Sequence, residues 1–153
     1  MELVLWRHAH AQDWTLGCDD MARRLTTRGE KQAARMASWL DRHLPEGSRI
    51  WASPSVRTKQ TVMALGRKFK LCPELRPDAS VSELLKLVGW PNVKGTTLLV
   101  GHQPQLGQLA SELMGWPATD CSIKKGALWW LRSREREGPA QTVLVTVQSP
   151  DFL

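Results

Sequence analysis

From the N-terminus to about residue 117, short apolar runs alternate with stretches whose apolar residues recur every three or four positions. These are the periods of buried strands and of helices with one apolar face. Residues 2–6 (Glu-Leu-Val-Leu-Trp) are an apolar run bounded by charge, as in a strand buried within a parallel sheet. A polar loop extends to about Leu25. Thr27-Arg28-Gly29-Glu30 then has the spacing of a capping box and predicts a helix start. The apolar stripe of that helix is Ala33, Met36, Ala37, Leu40 and Leu44, and Pro45 and Gly47 end it. A second strand is expected over 49–52. Ser53-Pro54 next predicts a helix over 54–69, with proline at its first position, where no N–H is needed. Residues 71–75 read as a weak strand interrupted by Pro73, 79–88 as a short helix and 96–100 as a buried strand. Leu106, Leu109, Ala110, Leu113 and Met114 mark one face of a further helix. Two extended runs, 122–131 and 142–148, joined by a charged Gly-Pro turn, predict a C-terminal β-hairpin.

Alternating strands and helices predict an α/β sandwich with a mostly parallel central sheet, closed by that hairpin. The length, 153 residues without a linker or low-complexity segment, suits a single domain over 1–153. No apolar stretch is long enough to cross a bilayer, and the N-terminus lacks the basic start and cleavage site of a signal peptide. Cys18, Cys72 and Cys121 are odd in number and widely spaced, which argues against a disulfide framework or a zinc site and for a reducing cytoplasm. The net charge of +6 suits an anionic partner, but no aromatic-basic motif supports nucleic acid as that partner.

In an open α/β sheet, ligands bind beyond the carboxyl ends of the strands. Arg7 and His8 follow the first predicted strand, Ser53 to Arg57 the second, and His102 the fourth. Guanidinium grips phosphate oxygens with two parallel N–H bonds, and neutral imidazole is nucleophilic enough to attack phosphorus. The set therefore reads as phosphoryl-transfer chemistry, with Arg57 in the first turn of a helix that itself favours an anion. A metallohydrolase is the rival enzyme reading, because His8, His10 and His102 offer three imidazoles. The cationic Arg7 beside the first ligand opposes it. A basic nucleic-acid-binding module is the non-enzymatic rival.

Four motifs, in order, resemble the histidine phosphatase superfamily (phosphoglycerate mutase-like), and within it the short phosphohistidine phosphatase branch. They are Arg7-His8, Leu25-Thr26-Thr27-Arg28-Gly29, Ser53-Pro54-Ser55-Val56-Arg57 extended by Gln60 and Thr61, and Val100-Gly101-His102-Gln103-Pro104. The resemblance implies a three-layer phosphoglycerate mutase-like sandwich without a cap domain. It also implies His8 as nucleophile, His102 as the second catalytic histidine, and Arg7 and Arg57 as phosphate ligands, with no metal or cofactor. Ala9 stands where the family usually has glycine. Many members that cleave esters use a carboxylate to protonate the leaving alkoxide. Asp78 and Glu83 are the candidates in the corresponding region. The chain leaves little length for a cap, so the expected substrate is phosphohistidine on a protein, with small phosphate monoesters as the alternative. Oligomeric state is left open. His10 is expected in an exposed mouth loop, His43 at a helix C-terminus, and Trp14 as a lid or an exposed packing residue. Trp6, Trp39 and Trp51 are expected in the core.

Overall fold

The computed structural model describes residues 1–117, 121–135, 138 and 141–153. Strands β1 (Glu2–Arg7), β2 (Arg49–Ala52), β3 (Lys70–Leu71), β4 (Thr96–Gly101), β5 (Leu128–Arg134) and β6 (Gln141–Gln148) form one six-stranded sheet in the order β3-β2-β4-β1-β5-β6. The strands from β3 to β1 run parallel, and β5 and β6 add an antiparallel edge beside β1. Helices α1 (Thr27–His43), α2 (Val56–Met63), α3 (Val81–Val88) and α4 (Gln105–Met114) complete the fold.

Period-2 alternation divides the core into two layers. Leu3, Leu5 and Leu99 face a cluster with Leu84 and Val88 of α3 and Leu106, Leu109 and Ala110 of α4. Val4, Trp6, Leu98 and Val100 face a second cluster with Met36, Ala37 and Leu40 of α1 and Val62 of α2. Helices thus cover both faces, as the nearly continuous apolarity of β1 and β4 requires. The result is the expected three-layer sandwich, with no separate cap domain among the described residues. Trp6 is fully buried, while Trp39 and Trp51 are partly buried against the two clusters.

Several boundaries differ from the sequence reading. The N-cap of α1 is Thr26, whose hydroxyl accepts from Gly29 N–H; Thr27 is the first helical residue, so no Thr27/Glu30 capping box forms. The N-cap of α2 is Ser55, accepting from Thr58 N–H, and Pro54 lies outside the helix. That helix ends at Met63, not Phe69, because the following backbone bonds tighten to three-residue spacing and Gly66 turns left-handed at φ 70°. β3 is only two residues long, since Pro73 opens a 3₁₀ turn, Pro73–Leu75. A capping box does form, at Ser80 and Glu83 of α3.

The hairpin is present, but its first strand begins at Leu128 rather than Ser122. Residues 122–127 instead bond the end of β1: the Gly126 carbonyl accepts from Trp6 Nε1–H, and Gly126 N–H donates to His8 O. Part of the predicted Gly-Pro turn lies outside the described residues. Among those residues no helix is long and apolar enough to cross a membrane.

Candidate active site

β4 lies between β1 and β2, so the loops that follow these three strands emerge side by side. His8 N–H donates to Gly101 O at 3.1 Å and His8 O accepts from Gly126 N–H at 3.0 Å, which holds its backbone from both sides. The His8 side chain is 6% exposed, and its Nδ1 is 2.8 Å from Ala9 O. A carbonyl oxygen only accepts, so Nδ1 carries the proton and the lone pair resides on Nε2. Burial pushes the imidazole down to about 3; the Ala9 bond opposes this, and the charges of Arg57, Arg7 and Arg23 reinforce it. His8 is therefore neutral and nucleophilic at pH 7.

The His102 ring tilts 55° to that of His8, with centroids 5.3 Å apart. Its Nε2 is 2.8 Å from the Ser53 hydroxyl, and its Nδ1 is buried without a partner. Burial, then the positions of His8 and Arg57, push it down to about 2. Arg7 donates from Nη1 to Ile123 O at 2.8 Å. Arg57 donates from Nη1 to Asp20 O at 2.7 Å and from Nη2 to Asp20 Oδ2 at 3.1 Å. The Nε of each arginine is buried and unpartnered.

Unsatisfied buried donors are uncommon and costly. Two guanidinium Nε–H groups and one imidazole nitrogen, on three residues that line a single cavity, are what an oxyanion with several acceptor oxygens would satisfy. The cavity, of about 200 Å³, is lined by Arg7, His8, Arg57 and His102, together with Arg23 and Lys125. A larger cleft of about 520 Å³ lies by the C-terminal end of α1, against Asp41, Glu46, Arg67 and Lys68, and holds none of these residues.

The structure brings Arg7, His8, Arg57 and His102 together and leaves Asp78 and Glu83 out. Pro77 borders the cavity because its carbonyl accepts from the Gln105 side chain, but Asp78 is 83% exposed and paired with Arg76 at 3.2 Å. Glu83 pairs with Arg76 and caps α3; the Ser80 N–H and Arg76 hold its carboxyl below the usual range.

His10 departs from the expected exposed mouth. Its Nδ1 lies 2.7 Å from the Thr26 hydroxyl and its N–H donates to Gln32 Oε1, tying the loop to the start of α1. The three histidines of the metallohydrolase reading therefore do not converge, and no metal-competent His/Cys/Asp/Glu cluster forms among the described residues. Ala9 packs with Ala11, Leu25 and Ala33, not on the cavity wall, and its N–H donates to Thr61 Oγ1. Gln60 accepts from Leu25 N–H, so these two extensions of the Ser53–Arg57 motif are struts. His43 bonds the Trp39 carbonyl near the end of α1 and stacks on its indole, and Trp14 is exposed.

Sequence reasoning missed Asp20, Arg23, Lys125 and the Ser53–His102 pairing. Only Ser53, at the head of a motif, carried a signal. Asp20-x-x-Arg23 looks like any surface ion pair in a polar loop.

A histidine with a free Nε2, grouped with two arginines and a second histidine at the ends of parallel strands, is a constellation suited to a phosphatase. Residues 3–85 match the histidine phosphatase superfamily (branch 1), and the chain belongs to that superfamily. It is 31% identical to the phosphohistidine phosphatase SixA homolog of Haemophilus influenzae over 131 residues, covering 75% of this chain and 78% of the relative. An uncharacterised protein of Picosynechococcus is 32% identical, with 100% of this chain and 99% of the relative aligned. The fold superposes with a TM-score of 0.81 on an Agrobacterium tumefaciens crystal structure provisionally assigned as SixA, at 22% identity and 97% coverage of each chain. The protein is an enzyme, a histidine-phosphatase-type phosphatase.

Proposed function

We propose that this phosphatase hydrolyses phosphohistidine on a protein and carries the phosphoryl group on His8 between two displacements. The observation that carries the reading is the His8 imidazole, held as the Nδ1–H tautomer with Nε2 free, in a cavity that Arg7 and Arg57, each with an unpartnered buried Nε–H, also line. In the first displacement His8 Nε2 attacks phosphorus and the substrate's P–N bond breaks. The departing imidazole leaves neutral, with a proton on its other nitrogen. In the second, water attacks phosphorus, the P–Nε2 bond breaks, His8 leaves neutral with its Nδ1 proton, and inorganic phosphate carries away both protons of the water. Arg7 and Arg57 bond the equatorial oxygens. His102 donates from Nδ1 to the transferring group, while Ser53 O–H donates to its Nε2.

Leaving-group chemistry favours phosphohistidine over alkyl phosphates. An alkoxide must be protonated as it departs, whereas imidazole, with a free pKa of ~6.5, leaves without an acid. Among the described residues no carboxylate lines the cavity. Burial raises the nearby Asp20 carboxyl, but its bonds to Arg23 and Arg57 and their charge outweigh this, so it stays ionised and can only accept. Nothing in this chemistry calls for a metal or cofactor. The Haemophilus relative, named for the same activity, and three free cysteines, which suit a reducing cytoplasm, agree with the reading.

The test compares turnover of a phosphohistidine-bearing protein with a panel of small phosphate esters, for the wild type and for Asp78→Asn and Glu83→Gln. The expected result is preference for phosphohistidine, base-stable phosphate trapped on His8, and both variants within about tenfold of wild type, ~1.4 kcal/mol of barrier. A loss of about a thousandfold in either variant, ~4 kcal/mol, would identify that carboxylate as an acid and move the assignment to esters.

A further inference from the structure

We propose that Arg23 is a third arginine of the phosphate site, and that Asp20 is the positioning residue that presents Arg23 and Arg57 together. The proposal rests on the phosphatase reading above and extends it to residues outside the four motifs. Asp20 opens a 3₁₀ turn, Asp20–Ala22, capped by the Asp19 carboxylate, and Arg23 follows it. One residue thereby holds two guanidinium groups: Asp20 O and Oδ2 accept from Arg57, and Oδ1 accepts from Arg23 Nε–H at 2.9 Å.

A guanidinium has two edges that can grip an oxyanion, the Nη1/Nη2 end and the side formed by Nε and one Nη. Asp20 occupies the end edge of Arg57. The side edge remains: its Nε is a buried unpartnered donor, and Arg57 lines the cavity. In Arg23, Nε is committed to Asp20 and Nη1 to Gln12 O at 2.7 Å, which leaves the Nη2 hydrogens for a ligand in the cavity that Arg23 lines.

Two further observations place Arg23 in the site. Its charge is among those that depress protonation of both His8 and His102. Its side chain is only 19% exposed, although an exposed ion pair at this spacing contributes just ~0–1 kcal/mol and gives little reason to bury an arginine. A dianionic phosphoryl group gaining charge on its oxygens gives that reason.

The experiment measures orthovanadate affinity, kcat and KM on a phosphohistidine protein, and thermal unfolding, for wild type, Arg23→Gln, Arg23→Lys, Asp20→Asn and the Asp20→Asn/Arg23→Gln double variant. Asp20→Asn keeps the backbone acceptor and one side-chain oxygen, so Arg57 retains hydrogen-bond acceptors while it loses the carboxylate charge, and the unfolding measurement registers that loss. Arg23→Gln should weaken vanadate binding and lower kcat/KM by about fivefold or more (~1 kcal/mol), with unfolding unchanged and partial rescue in Arg23→Lys. The double variant should lose less than the product of the single losses, because the part of the Asp20→Asn loss that runs through Arg23 is already gone in Arg23→Gln. Vanadate affinity and kcat/KM within about fivefold of wild type in Arg23→Gln, or strictly multiplicative losses, overturns the proposal. A wild type that neither binds vanadate nor releases phosphate would instead overturn the phosphatase reading and this inference with it.

Discussion

Burial sets the protonation of both cavity histidines. His8, pushed down to about 3, and His102, pushed down to about 2, stay neutral at pH values where a free imidazole, at ~6.5, gains its proton. As pH falls below ~6.5 the unfolded chain binds protons at these positions and the folded protein does not, so acidification favours unfolding. Their contribution is level above ~6.5 and turns progressively against the fold down to about 3. Urea midpoints should therefore drop between pH 6.5 and 4.5, and less steeply in His8→Asn and His102→Asn. An unchanged slope in both variants would show that these imidazoles are not the groups held neutral. Residue types and positions made the two histidines visible in the sequence; their burial, which decides their charge, was not visible there.

Among the elements, α1 shows how a motif residue acts at a distance from the chemistry. Gly29 lies in the first turn, and a Cβ there would collide with the backbone carbonyl of His10, two residues after His8. That carbonyl also accepts from Thr26 N–H, so the loop and the helix start are one unit. In an unhindered helix Gly→Ala stabilises by up to ~1 kcal/mol. Here backbone meets backbone with no flexible side chain to yield, so Gly29→Ala should cost about 1–3 kcal/mol and lower turnover by displacing residues 8–11. Denaturation midpoints and kcat check both halves, and a stabilised, fully active variant would refute the contact. The same contact explains why the cap sits at Thr26: the local Thr-x-x-Glu signal at Thr27 loses to a tertiary one.

For the molecule as a whole, one sheet supplies both core layers. Adjacent residues of β1 and β4 belong to opposite clusters, so neither layer can dissolve without removing half of the other's support. We propose that residues 1–153 form a single domain, which should consequently unfold in one cooperative step. Tryptophan fluorescence reports on both layers, through Trp6 on one and Trp51 and Trp129 on the other, and far-UV circular dichroism reports on the helices. The two probes should give coincident urea curves in wild type, in Leu98→Ala and in Leu99→Ala. Separated transitions would divide the chain into more than one folding unit.

The sequence alone determined the class of fold and singled out the four residues proposed to bear the chemistry, because both are written locally. Strand and helix periods are properties of neighbouring positions, and Arg7 ends a strand, His8 and His102 directly follow one and Arg57 lies in the first turn of a helix. Tertiary structure alone decided that β4 enters between β1 and β2, which brings residues 7, 57 and 102 around one cavity. It also decided that Asp78 turns outward while Pro77 is drawn to Gln105, that His10 serves the helix rather than a mouth or a metal, and that Asp20 gathers Arg23 and Arg57. The Pro77–Gln105, His10–Thr26 and Asp20–Arg57 contacts behind these outcomes join residues 16 to 37 apart in sequence. Pattern along the chain carries no record of such pairings, because they come into being only when burial forces distant polar groups to satisfy one another.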